Sequence, residues 1–457
     1  METISHLNLQ IEGVPFTSIQ GLEISHNINE HAIAVISGEI ESETAQQYLQ
    51  RTDEKMMIKI KTTAEGQPDI LFWGMVEGID IKNQNQYALL TVTAKSMSAQ
   101  TDIEKRNKSF QNTGKHYEDI LREVLGNQAV VCVEVTDQAI GNMIVQCNET
   151  NWEFCKRMAS RLSAPVITSI HTKIPTFTIG VPGNGEIYEL TSVERAAGTN
   201  GQKNSNQMAE DKMATGITTL QYVFLGDYVS YGSGSGKVMQ IYSCLQGGVL
   251  RTTIHTATEN GFKQAQIVNQ QIAGKMYLAE VQAVRGDEVQ VHLLDVDGSY
   301  DSSSSVWLPY STAYSSADGS GFYCMPAKGD KVRVFFPAAD EGQAFAASSV
   351  CVNPAARVTD KKWSGPNGKQ ILLTEDGIYI TTNGSNRKIF IDLTDKAGIT
   401  IKSNQNISIC AKNNLSLISN NSIAINAEKD ILISTAESYI DITPEGIELG
   451  ANNVVIK

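Results

Sequence analysis

Chemistry would show first in nucleophiles, metal ligands and phosphate cradles, and a few stretches offer them. Gly232-Ser233-Gly234-Ser235-Gly236-Lys237 resembles a phosphate-binding loop. Such a loop needs a glycine five residues before the glycine of Gly-Lys, and Ser or Thr after the lysine, so that backbone N–H groups and a hydroxyl meet phosphate and metal. Tyr231 and Val238 stand at those places, and the stretch reads as a flexible loop. Cys147 and Cys155 flank the start of a predicted helix. Zinc ligands come in tighter pairs, so these two read as buried thiols. No His-Glu-x-x-His occurs and no histidine follows His292. Neither a zinc hydrolase nor a histidine-held iron is expected. Cys410, next to Ile409, reads as a packed corner residue. No catalytic, cofactor-binding or metal residue is assigned, and no cofactor.

The elements must therefore carry the function themselves. A chain of 457 residues is long enough for two to four domains. Its net charge is −13 and no lysine/arginine run stands out, which argues against nucleic acid as a partner. The start has no basic stretch followed by a long apolar run, so no signal peptide is expected. No window is apolar enough for a transmembrane helix. The seven scattered cysteines read as buried thiols made in a reducing cytosol, without disulfides.

Residues 1–145 read mostly as strands. Leu7, Leu9 and Ile11 alternate with polar residues, and 72–81 and 88–94 are stronger strands separated by the turn-like 83–86. One helix is expected over 114–125, capped by Thr113 and stopped by Gly126. A second opens at Asn151 and runs to Leu162, with Pro165 ending it. Strands return at 167–170, 176–179, 218–229 and 237–244, around a polar loop at about 193–215. Residues 276–352 hold about five strands in a compact span, which suits a small closed barrel of the OB type.

The far end is a repeat. Ile399/Ile401, Ile407/Ile409, Leu415/Leu417, Ile423/Ile425 and Ile431/Ile433 recur every eight residues. Spacing of two within a pair puts both side chains on one face of a strand. Polar runs such as 403–406, 412–414 and 419–422 fall between the pairs, and their asparagines suit corners built on left-handed backbone. A strand that buries only one pair must stack on others. Wound as a single chain, the array would give about three turns, roughly 15 Å of core. Three intertwined chains would give 45–50 Å at ~4.8 Å per strand. The expected class is thus mainly β, with β-barrels and a few helices first, then an OB barrel, then a triple-stranded β-helix. These ten Ile and Leu side chains are its core. The last strand, with Val454, Val455 and Ile456, leaves open backbone and apolar groups where a partner could dock.

The order of parts resembles the VgrG-type spike proteins of contractile injection systems and the related hub and spike of phage tails. Residues 148–154 with the helix behind them look like that family's hub helix. Residues 321–335, with Met325-Pro326 and Gly329-Asp330, look like its OB hairpin, and the octads look like its needle. The resemblance implies a hub over 1–274, an OB domain over 275–355, a linker over 356–369 and a needle over 370–457. It implies a homotrimer that joins a hexameric inner tube protein to a membrane-piercing needle. Its partners would be baseplate proteins, a PAAR-type tip protein and possible effector cargo, with membrane contact by puncture only. It would assemble in the cytoplasm within a contractile particle and be delivered outward into or through a target envelope. The expected function is mechanical, not enzymatic. A receptor-binding tail fibre or adhesin with a β-helix shaft is the alternative, and an enzyme with a site hidden in the hub is a third.

Overall fold

The computed structural model describes residues 1–50, 56–84, 87–183, 186–190, 194–196, 216–232, 234–300, 306–352, 357–382 and 386–455. The chain is mainly β and divides into two compact units, Met1–Cys351 and Val352–Lys457.

In the first unit the strongly alternating stretches become a twelve-stranded sheet. Strands Ile70–Gln84 and Tyr87–Ser96 pair antiparallel from Gly74↔Ser96 to Gln84↔Tyr87. Every second residue of Tyr87–Ser96 is buried, as one solvated face requires. The expected strand over 218–229 is broken into Gly216–Thr219 and Tyr228–Tyr231. The break is at Gly226 (φ 88°) and Asp227. The Asp227 carboxylate accepts from Phe224 N at 2.7 Å and from Glu186 N at 3.2 Å, which ties a turn where alternation suggested a strand. Most of the loop expected at 193–215 lies outside the described residues, but Glu194–Ala196 form a strand.

Helix Tyr117–Leu125 starts later than expected, and Thr113 does not cap it. A turn on Asn112 takes up the preceding residues, since Asn112 Oδ1 accepts from Gly114 N. The first free N–H groups go instead to Gln138 O and to the Asp137 carboxylate. Gly126, at φ 51°, ends the helix as anticipated. Helix Asn151–Arg161 begins where expected and carries a full capping box. Thr150 Oγ1 accepts from Glu153 N at 3.1 Å, and Glu153 Oε2 accepts from Thr150 N at 2.9 Å.

Strands Met276–Arg285, Glu288–Leu293, Leu308–Ser311, Phe345–Ala347 and Lys331–Phe335 close into a barrel in that order. The hairpin expected at 321–335 is instead a loop leading into strand Lys331–Phe335, turned at Gly329 (φ 90°). Strand Ile144–Glu149 separates two cores. Ile144 faces the helices, with Trp152 and Phe154, while Val145 and Cys147 complete the apolar core of the barrel.

The cysteine expectation needs correction. Cys147 and Cys155 are buried, but Cys132, Cys324, Cys351 and Cys410 are exposed, and all seven are free. Cys132 is on an outward position of its alternating strand, and Cys324 lies in the barrel's long loop.

The second unit contains two antiparallel meanders. One has five strands, Lys361–Ser364, Gln370–Thr374, Gly377–Thr381, Phe390–Thr394 and Gly398–Lys402; the other has three, Ile431–Ser434, Tyr439–Thr443 and Gly446–Gly450.

Candidate functional site

The register of the two meanders puts the apolar residues in rows. Ile371, Ile380, Ile391 and Ile401 oppose one another strand by strand, as do Leu373, Ile378, Leu393 and Ile399. In the second meander the rows are Ile431, Ile442, Ile447 and Ile433, Ile440, Leu449. Because spacing within each pair is two, all rows of a meander share one face. That face is open in the single chain: Ile399 is 70% exposed and Ile401 57%. Between the meanders, residues 403–430 carry Ile407, Ile409, Leu415, Leu417, Ile423 and Ile425, all exposed and outside any strand. The strands expected there are not formed, because a strand needs a hydrogen-bonded neighbour and one chain supplies none. The corners do form, by another device. Ser403 Oγ accepts from Gln405 N at 3.0 Å and Ser419 Oγ from Asn421 N at 3.2 Å. No described asparagine between 398 and 433 has a positive φ. Serine hydroxyls, not left-handed asparagines, turn the chain.

The opposite face is not uniformly polar. The Arg387 guanidinium stacks over Phe390 at 4.4 Å and Tyr379 at 5.4 Å and pairs with Asp392. Val454 and Val455 are exposed and belong to no strand; Ile456 lies outside the described residues.

The first unit holds a junction that sequence reasoning missed. Arg157 is 0% exposed. Its Nε and Nη2 grip the two Glu149 oxygens at 2.8 and 2.7 Å, and Nη2 also donates to Val145 O at 2.8 Å. Nη1 donates to Glu341 Oε1 at 2.8 Å, and Arg161 Nη2 reaches Glu341 Oε2 at 2.7 Å. Burial opposes charge on Arg157, but the bonds to Glu149 and the charges of both glutamates outweigh it and raise its pKa. Helix Asn151–Arg161 is thereby fixed to the short turn Glu341–Gln343 beside the barrel. The signal was two arginines four apart on a helix that opens with a capping box, one of them on its buried side. A second tie lies nearby. Asp297 accepts from Ser109 N at 2.7 Å and from Ser109 Oγ at 2.5 Å. It lines a cleft of about 420 Å³ in which Lys108 and Lys115 both pair with Glu123.

One cluster has the residue types of a hydrolase. His31 Nδ1 lies 2.7 Å from Ser98 Oγ and Nε2 lies 3.3 Å from Asp102 Oδ2. The ring lies tilted against Trp152, the centroids 4.4 Å apart. Ser98 is buried and its Oγ is also bonded to Ser96 Oγ at 2.8 Å, so its hydroxyl is held between two partners inside the fold. Burial holds the His31 pKa below the ordinary imidazole value, although Asp102 works the other way. The cluster braces the helix start, because Asp102 also accepts from Thr150 Oγ1 at 2.5 Å.

Of the glycine-rich stretch read as a flexible loop, Gly234–Lys237 lie instead in strand Gly234–Gln246. Tyr231 pairs with Gly234 across a hairpin, Gly232 has φ 56°, and Lys237 Nζ donates to Pro182 O. Ser233 lies outside the described residues. Among the described residues no three His, Cys, Asp or Glu converge as a metal site would require, and no helix is long and apolar enough to cross a membrane.

Comparison with solved structures gives the fold its place. The Escherichia coli c3393 protein aligns over 75% of this chain and 99% of its own, at 13% identity and a TM-score of 0.52. It is described as a type VI secretion component similar to the phage T4 tail proteins gp27 and gp5. A chain of the Francisella PdpA–VgrG complex in its lidded form aligns over 84% of this chain and 76% of its own, at 9% identity and a TM-score of 0.55. The half-lidded form aligns over 86% and 87%, again at 9% and 0.55. The chain has the fold of VgrG-type spike proteins. No family model and no curated protein sequence matches it. In this VgrG-type fold, the Arg157 cluster and Asp297 join the helical region to the barrel, and the open Ile rows belong to the second unit.

Proposed function

We propose that three copies of this chain form the central spike of a contractile injection machine. The observation that carries this reading is the aligned apolar rows of the two meanders, 371–401 and 431–449, open in one chain, on a protein with a spike fold. Three such faces turned toward one axis would bury one another. Each fully buried Ile or Leu is worth about 1.5–3 kcal/mol, so the assembled needle would be the stiffest part. Residues 1–274 would serve as the hub that meets a hexameric inner tube and the baseplate, residues 275–355 as the neck, and 370–457 as the piercing needle. Val454, Val455 and Ile456 would seat a PAAR-type tip protein. The Francisella neighbours are complexes of VgrG with PdpA, and by that likeness this chain would carry a second protein as cargo. The role is mechanical and non-enzymatic, in a particle assembled in the cytoplasm and delivered outward. The test is the mass of the purified protein by light scattering. A trimeric mass supports the reading, and a stable monomer at micromolar concentration overturns it.

A further inference from the structure

The two buried cysteines have different surroundings. Cys155 lies among Phe154, Met158 and other apolar groups of the helical core, where burial pushes its thiol far up. Cys147 belongs to the strand between the two cores, and its sulfur has polar neighbours. Lys275 Nζ stands 3.2 Å from Cys147 Sγ, and the Tyr277 hydroxyl stands 3.1 Å from it. Both partners come from the barrel side, where the backbone is fixed: Lys275 O accepts from Phe336 N at 3.0 Å. The Cys147 carbonyl is held by Asn269 Nδ2 at 2.8 Å. The amine and the thiol are thus presented to each other by two separately anchored elements, 128 residues apart in sequence.

We infer that Cys147 and Lys275 form an oxidatively made sulfur–nitrogen cross-link that locks strand Ile144–Glu149 to the barrel. The oxidant is a hydroperoxide such as hydrogen peroxide. The sulfur gives an electron pair to one peroxide oxygen, the O–O bond breaks and water leaves, giving a sulfenic acid. Sulfenic acids condense with nearby nitrogen to sulfenamides. Lys275 loses its ammonium proton to solvent at its partly exposed side. The neutral amine attacks the sulfur, the S–N bond forms, the S–O bond breaks, and hydroxide leaves with the second amine proton as water. Thiol, amine and one peroxide become the cross-link and two waters, the sulfur being oxidised by two electrons and the peroxide reduced by two. The Tyr277 hydroxyl is placed to hydrogen-bond the departing oxygen. A thiol reductant reverses the bond. That the bond forms when the protein leaves a reducing compartment rests on the spike reading; the chemistry does not.

The test treats the full chain with hydrogen peroxide and maps its peptides by mass spectrometry without reductant. The expected product joins the Cys147 peptide to the Lys275 peptide, lighter than their sum by two hydrogen atoms, and disappears with dithiothreitol. The cross-linked protein should also unfold at a higher temperature than the reduced one. Lys275→Arg keeps the charge but removes the nucleophilic amine, and should abolish the link and let Cys147 proceed to the sulfinic acid. Sulfinic acid at Cys147 in the unaltered protein overturns the inference. So does an unmodified Cys147 after the exposed Cys324 and Cys351 have oxidised, or the same two-hydrogen loss at Cys147 in Lys275→Arg. A cross-linked monomer would support this chemistry and defeat the trimeric reading, so the two fail separately.

Discussion

Arg157 Nη1 and Glu341 Oε1 meet at 2.8 Å, both side chains almost wholly buried, across 184 residues of sequence. One belongs to helix Asn151–Arg161, the other to the turn beside the barrel. Breaking one side of a buried ion pair strands the other charge, at a cost of about 3–5 kcal/mol. Glu341→Gln should therefore lower the thermal midpoint of the first unit markedly, and more than Glu118→Gln, whose partner Arg122 is exposed. Equal midpoints for the two variants in calorimetry would show that the cluster holds nothing together.

The pH profile should bear the mark of His26. Burial, and then the charge of His171, lower its pKa from 6.5 to about 3, and Nε2 bonds Thr168 Oγ1 at 3.1 Å. The unfolded chain takes up a proton below pH 6.5 that the folded chain refuses until about pH 3. Stability from this group is whole above 6.5 and falls on acidification, by up to about 1.4 kcal/mol per pH unit. Asp227 works in the opposite sense. Burial raises its pKa from 3.8 to about 6, so the folded state gains stability as pH falls through that window. His26→Gln should lose less stability than the parent between pH 7 and pH 4 in denaturant titrations. Parallel pH profiles would refute the assignment.

How much could be read beforehand depended on whether a residue's partners lie close in sequence. The Ile rows declare themselves because alternation is local and each strand meets its neighbour in chain order; the barrel strands alternate as well, although Leu308–Ser311 pairs with Phe345–Ala347 and not with the strand that follows it. Asn151 as a helix start was legible because its capping box spans only 150–153. Thr113 failed for the converse reason: Asn112 holds Gly114 N and Lys115 N in a separate turn, and the first helical donors, Tyr117 N and Glu118 N, go to the distant residues 138 and 137. Asp227 broke a strand by bonding Glu186, which pattern alone cannot announce. Glu341 carries no local sign of its bond to Arg157. At 403–430 the pattern was right about corners but wrong to give them to left-handed asparagines: Ser403 and Ser419 hydroxyls turn the chain, and with hydroxyl and amide side chains interspersed there the sequence does not show which of them does so.

If the Ile face is an assembly surface, Ile409→Asp should abolish it. Three carboxyls would enter one layer, where burial without partners costs several kcal/mol each. The expected outcome is a monomeric mass with an unchanged thermal transition for the first unit. A trimer that tolerates the substitution would show that Ile409 points to solvent in the assembly.

Removal of residues 453–457 should leave the oligomer intact and weaken binding of a tip protein at least tenfold. Titration of a PAAR-type protein against both forms by calorimetry is the measurement. Equal affinities would move the docking surface elsewhere.

The open Ile rows also bear on how the protein is made. They lie C-terminal to residues 1–351, so synthesis delivers them after a body that can already close its own cores. If the spike is the trimer proposed above, each newborn copy would carry a wet, sticky ribbon from that moment until two sister chains arrive. Yield in the cell should therefore depend on how quickly copies find one another, favouring translation of neighbouring copies from one message over scattered production.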